Sequence, residues 1–146
     1  MHVVEGEPLY FGSFYGILGH EDLMMKKIKP TDIKLHQKSR ILEISFDDGS
    51  RFELSCEYLR THSPSAEVRG HGPGQEVLQT GKENVSITNI EPVGTYAVAF
   101  HFDDGHNSGI YSWETLYDLG ANKEKYWANY LERLQQAGYQ RKEQNA

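Results

Sequence analysis

The residues best suited to do chemistry lie between Arg60 and Arg69, which flank Ser63-Pro64-Ser65-Ala66-Glu67 ahead of a glycine-rich stretch. Two guanidiniums, two hydroxyls and exposed backbone can recognise an anion, because the planar fork of Arg matches a pair of carboxylate oxygens. A helix exit with solvated arginines is the plainer account of the same residues. The histidines His2, His20, His36, His62, His71, His101 and His106 raise metal binding next. No two of them have the His-x-x-x-His spacing of a metal-binding helix, and Cys56 has no Cys-x-x-Cys partner. A shared ion therefore requires the fold to gather His62, His71 and His106 with Cys56 or Glu67. Scattered histidines more often serve as surface or hydrogen-bonding groups.

Cys56 is a poor nucleophile candidate, since the charge of adjacent Glu57 raises a thiol pKa, and a buried structural role is left for it. Asp47-Asp48 and Asp103-Asp104 each precede a glycine. Neighbouring turn residues point in different directions, so these pairs build turns and not an acid and its base. Gly70-x-Gly72-x-Gly74 has no helical pattern after it, which argues against a dinucleotide loop.

Positioning these groups falls to a frame that occurs twice. Residues 44–59 read Ile-Ser-Phe-Asp-Asp-Gly, Phe52-Glu53-Leu54 and Ser55-Cys56-Glu57-Tyr58-Leu59, while residues 100–116 read Phe-His-Phe-Asp-Asp-Gly, Ile110-Tyr111 and Ser112-Trp113-Glu114-Thr115-Leu116. Asp-Gly between alternating apolar runs predicts a hairpin, since Gly takes positive φ without a Cβ clash. Ser55 and Ser112 then cap helices, with Glu57 and Glu114 complementing the positive helix ends. Limited turn chemistry and an internal duplication both account for the likeness.

Thr31 to His36 alternates as a first strand, and Leu42, Ile44 and Phe46 supply the buried face of the next. After a strand within Val85–Val93, Tyr96, Val98, Phe100 and Phe102 alternate against Thr95, Ala97, Ala99 and His101, which predicts a central strand. One short helix starts at Ser55 and stops before Pro64; another runs from Ser112 to Leu119 with Gly120 as its C-terminal cap. Asn122 is placed to cap a last helix whose Tyr126, Trp127, Tyr130, Leu131 and Leu134 form one apolar face. Residues 69–84 read as a mobile surface loop suited to a partner. The class is α+β, a two-layer sandwich with a mostly antiparallel sheet of roughly five or six short strands and helices packed on one side.

Residues 1–27 are expected to form a poorly ordered N-terminal extension, 28–137 the domain with its C-terminal helix, and 138–146 a frayed polar tail. Met24-Met25-Lys26-Lys27 reads as a natural translation start, so the residues before it are expected to come from an early start assignment. With 38% apolar and 12% aromatic content over 146 residues, the chain can bury a single core. Its formal charge of −6 argues against a nucleic-acid partner, which needs a basic face. One cysteine cannot form an internal disulfide and points to a reducing compartment, the cytoplasm. No apolar run approaches the roughly 18 residues of a membrane span, and the N-terminus lacks the pattern of a secretion signal.

Leu59 to Gly70, Ile90 to Val98 and Asp104 to Trp113, three motifs in order, resemble the bacterial family named for the gamma-butyrobetaine hydroxylase N-terminal domain. The likeness runs from about Pro30 to Leu119. Stand-alone members of that family have no assigned function. Related domains are attached to 2-oxoglutarate-dependent carnitine-pathway oxygenases and to Mrp-type P-loop ATPases that carry iron-sulfur clusters, so the resemblance implies an accessory or docking role. In the oxygenases the domain resembles a zinc module of three cysteines and a distant histidine. Those cysteine positions fall here at Ser63, Ser65 and Val68, and the histidine at His106. Hydroxyls are poor zinc ligands and Val is none, so no cofactor is expected, with zinc as the alternative. The oxygenases' iron ligands belong to a separate catalytic domain, and hydroxylation is not implied for these residues.

The function expected is thus a non-catalytic protein-interaction domain in the cytoplasm, working through Arg60, His62, Ser63, Ser65, Arg69 and His106, with an Mrp-type iron-sulfur carrier ATPase as partner. One alternative is a metal-binding or metal-sensing protein using His62, His71, His106 and Cys56. The other is a small enzyme or binder of an anionic metabolite at Arg60 and Arg69.

Overall fold

A computed structural model of the chain describes the backbone of residues 8–13 and the whole of residues 28–144. Of the expected N-terminal extension only Pro8–Ser13 is described, as strand β1; the translation start expected at Met24 lies outside the described residues. β1 pairs antiparallel with β2 (Pro30–His36), followed in order by β3 (Ile41–Phe46) and β4 (Arg51–Ser55). A second antiparallel sheet holds β5 (Ile87–Val93), β6 (Ala97–Phe102) and β7 (Ile110–Ser112), with β6 in the centre as its alternation predicts. The helices are α1 (Cys56–Thr61), α2 (Ala66–Arg69), α3 (Trp113–Ala121) and α4 (Lys123–Gln136). The fold is α+β, with the strands divided between two sheets.

Side-chain period decides where the core forms. Leu42 stands opposite both Leu35 and Leu54, and Ile44 opposite both Ile33 and Phe52, so one face of the first sheet is a block of aliphatic rows. That block joins Ile87, Ile90, Val98, Phe100 and Tyr111 of the second sheet in one buried cluster. Leu59 from α1 and Leu116 from α3 complete it.

The twice-occurring frame is also twice-bonded. In the first hairpin Gly49 N donates to Phe46 O, Phe46 N to Ser50 O, and Asp47 N to Lys29 O. In the second, Gly105 N donates to Phe102 O, Phe102 N to His106 O, and Asp103 N to Ser86 O. Gly49 and Gly105 share φ values of 89° and 88°. Ser55 Oγ then accepts from Tyr58 N and Ser112 Oγ from Thr115 N, as N-caps do. The copies differ in one respect: the second loop has extra residues before its strand resumes, and these carry the chain across to α2.

Three local expectations need correction. Gly120 does not cap α3 but lies inside it, where a Cβ would come within 2.4 Å of the Phe52 ring; close helix–strand packing is its reason. Asn122 makes no side-chain cap to α4, and its Nδ2 instead donates back to Asp118. The tail beyond Gly138, expected to fray, is bonded through residue 142. Tyr139 Oη and Lys142 N both donate to Glu83, and Arg141 donates twice to Glu57 and lies 5.2 Å from the Trp127 ring centre.

Candidate functional site

The end of α1 turns into α2 through Ser63-Pro64-Ser65, and the extended second loop reaches over to meet it. Ser65 caps α2, its Oγ accepting from Glu67 N at 3.3 Å, which fixes Glu67 on the first turn. Across the gap, Asp104 Oδ1 accepts from His106 N at 3.1 Å and sets where the imidazole enters. His106 Nε2 then lies 2.9 Å from Ser63 Oγ, and Nδ1 lies 3.0 Å from Glu67 Oε2.

Donor and acceptor roles follow from satisfying every group. Glu67 can only accept, so His106 carries its proton on Nδ1 and its Nε2 accepts from the Ser63 hydroxyl. Ser63 Oγ in turn accepts from Ser65 N at 3.2 Å. Ser65 Oγ meets Ser108 Oγ at 2.7 Å, and Ser108 closes the ring by donating to Glu67 Oε1 at 3.4 Å. Such closed networks hold a fixed geometry because each bond orients the next.

The order Ser63, His106, Glu67 is that of a nucleophile, a base and an orienting carboxylate. Access decides against that chemistry in this conformation. Ser63 is fully buried, and a Cβ built on Gly109 would lie 2.4 Å from its Oγ, so the space an electrophile would occupy is already filled by backbone. The same residues also suit zinc badly, because two hydroxyls, each bonded elsewhere in the network, and Val68 leave His106 as the single nitrogen ligand with no thiolate beside it.

The remaining sequence candidates scatter. Arg60 is not on the surface: it is buried, donates through Nε to Asp104 at 2.8 Å, and its Nη1 has no hydrogen-bond partner among the described residues. Lys82 joins the same Asp104 oxygen at 2.6 Å. An anion site shared by Arg60 and Arg69 is therefore corrected, since Arg60 already serves an internal carboxylate while Arg69 is exposed. His62 packs among Tyr58, Tyr126 and Tyr130 with Nδ1 on Tyr58 O at 2.9 Å, and His71 is exposed on the loop. Cys56 is buried, and its thiol is pushed up to about 11, by burial first and not by Glu57. Among the described residues, His62, His71, His106 and Cys56 do not form a group placed to share an ion.

Sequence reading missed Asp104, Lys82 and Ser108. Asp104 was readable in part, since an Asp two residues before His106 forms a local side-chain-to-backbone turn. Lys82 and Ser108 carry no such signal.

Burial holds His106 below its ordinary pKa of 6.5, aided by the nearby Arg60 charge and opposed by Glu67. Burial lowers His62 as well. The unfolded chain protonates both at higher pH than the folded protein does. Folding stability is then full above an ordinary histidine pKa of about 6.5, falls as pH drops through it, and levels off below the folded-state values. Asp104 adds a lower window. Burial raises it, but bonds from Lys82, His106 N and Arg60 outweigh that and hold it at about 2, so its contribution is present above 3.8 and lost toward 2. Urea midpoints are expected to fall steadily from about pH 7.5 to about pH 5.5, and His106→Gln to flatten that slope.

Beside this network opens a cleft of about 350 Å³, reached by residues of α1, α2, the following loop, α3 and α4.

The model described as gamma-butyrobetaine hydroxylase-like, N-terminal, matches residues 33–117, more than half of the chain. The chain belongs to that family. Three solved structures are similar to this chain. One NMR solution structure is 52% identical with a TM-score of 0.70, covering 89% of this chain and 94% of that one. A second NMR structure is 44% identical with a TM-score of 0.67, covering 80% and 92%. The third is a crystal structure of a protein of unknown function, of the DUF971 family, from Acidithiobacillus ferrooxidans; it is 40% identical, with a TM-score of 0.53 over 63% of this chain and 92% of that one. Those three chains consist of little beyond the matched domain. No curated protein matches the chain.

Proposed function

We propose that this chain is a non-catalytic accessory domain of the cytoplasm that acts by docking to a protein partner. The observation that carries the reading is how the network is spent: the hydroxyl of Ser63 and both ring nitrogens of His106 are bonded internally and buried. The neighbouring surface is different. Ala66, Glu67, Arg69 and His71 are exposed, and Val77 keeps 52% of its surface in contact with solvent. An apolar side chain rimmed by charges is what protein contacts use. The buried network serves to hold α2 and its loop in a fixed position for that contact. The partner class is an Mrp-type iron-sulfur carrier ATPase, supported by the family resemblance, and the chain itself is expected to need no cofactor. No helix among the described residues is long and apolar enough to cross a membrane.

Co-purification under reducing, anaerobic conditions tests this directly. The native chain is expected to retain such an ATPase, and an Arg69→Glu/Val77→Asp variant to lose it. Recovery of a different specific partner, or retention by the double variant, overturns the proposed partner or the proposed surface respectively.

A further inference from the structure

The cleft beside the network is lined by two cations from different helices, Arg69 and Arg133. Arg69 approaches from α2 and Arg133 from α4, and neither guanidinium has a hydrogen bond or ion pair among the described residues. Their charges nevertheless converge, since both act on Glu76 and on His62, which also line the cleft. We propose that this cleft binds a small organic monocarboxylate, held between Arg69 and Arg133.

Size, charge and polarity each narrow the class. A volume of about 350 Å³ lies at the small end of the range for small-molecule sites. Two planar guanidiniums are suited to carboxylate oxygens. The other charged groups limit the ligand to one negative charge. Asp118 is in the cleft with its oxygens already bonded to Tyr126 Oη, at 3.0 and 2.9 Å, and to Asn122 Nδ2. Glu76 folds back on Gly74 N at 3.3 Å. These two carboxylates balance the two arginines and would repel a dianion such as a phosphate monoester. The imidazole of His62 is kept neutral by burial and adds no charge. Val68, Val77 and Leu119 give the cleft an apolar wall, so the carboxylate should carry a short hydrocarbon portion.

The site was not legible as a pair in the sequence. Arg133 is 64 positions from Arg69 and joins it only because α4 packs back across α3.

The cleft shares Arg69 and Val77 with the proposed docking surface, and the test separates the two readings because it needs only the purified chain and no protein partner. Calorimetric and NMR titrations would use hexanoate, inorganic phosphate, and a short apolar peptide as its free acid and its C-terminal amide. Hexanoate is expected to bind with one-to-one stoichiometry. Arg69→Ala and Arg133→Ala should each weaken it by about tenfold, the loss of one charge-assisted contact. Glu76→Gln should strengthen it by removing the competing carboxylate, and phosphate should not compete. Binding of the peptide acid but not of its amide or hexanoate would overturn the small-molecule ligand and assign the cleft to a protein C-terminus instead. Both arginines are exposed, so circular dichroism of the variants should be unchanged. Absence of binding by every carboxylate at millimolar concentration, affinity insensitive to both arginine substitutions, or phosphate binding as tightly as hexanoate overturns the proposal.

Discussion

Replacing Arg141 with alanine is expected to destabilise the fold by about 2–3 kcal/mol, although the residue lies in a polar tail near the chain end. The reason is what it leaves behind. Glu57 is 2% exposed, and Arg141 reaches both of its oxygens through Nε and Nη2. Removing the guanidinium strands a buried carboxylate, and that unpaired charge, not the lost attraction, sets the cost. The value belongs at the lower end for buried pairs because the Arg141 side chain is itself 32% exposed and partly screened. A chain ending at Gly138 should lose more, since Glu83, 3% exposed, would also lose Tyr139 Oη and Lys142 N, each at 2.7 Å. Urea unfolding with an unchanged slope measures the shift. Glu57→Gln in the Arg141→Ala background should recover part of it, because the amide carries no charge to strand. A midpoint for Arg141→Ala equal to that of the native chain would show that the clasp contributes nothing.

That clasp marks the boundary of what the residue pattern could disclose. Period-two alternation in 41–46 and 97–102, Asp-Gly turns and Ser caps are local rules, and each strand and helix they predict is present. Long-range polar pairing obeys no such rule. Glu57 looks like a helix-dipole residue and Arg141 like a solvated tail residue, and only folding reveals that each is the other's partner. Arg60 misleads in the same way: its place at a helix end reads as exposed, yet Asp104, 44 positions on, draws it inward. Ser63 and His106 could be paired from sequence only through the family likeness, while the part of Glu67 in orienting the imidazole needed coordinates.

The second large effect concerns that pairing. A chain carrying Ser63→Cys, Ser65→Cys and Val68→Cys is expected to bind one zinc ion tightly, and the native chain is expected to take up none. The resemblance aligns these positions with the cysteines of a zinc module, and the structure supplies two independent reasons for the graft to work. First, Ser63 Oγ is already 2.9 Å from His106 Nε2, and Ser65 is held beside it through its own amide. Zinc bonds of about 2.3 Å to sulfur and 2.0–2.1 Å to nitrogen at a tetrahedral angle set the two ligand atoms about 3.6 Å apart, so the pair must part by about 0.7 Å. Second, His106 Nδ1–H donates to Glu67 Oε2 at 3.0 Å, which leaves Nε2 with its lone pair toward the vacated hydroxyl. That carboxylate–imidazole arrangement is what orients histidine on a metal, and its loss ordinarily costs about 10–100-fold in affinity. Glu67→Gln in the triple-cysteine chain should therefore weaken zinc by that factor, and His106→Gln by more. Competition against a chromophoric chelator reads all three. A triple variant that folds yet releases its zinc as readily as the native chain, or holds it equally well without His106, would mean that Ser63, Ser65, Val68 and His106 do not form a metal-shaped cradle. The hydrogen-bonded network would then owe its geometry to α2 and the second loop alone.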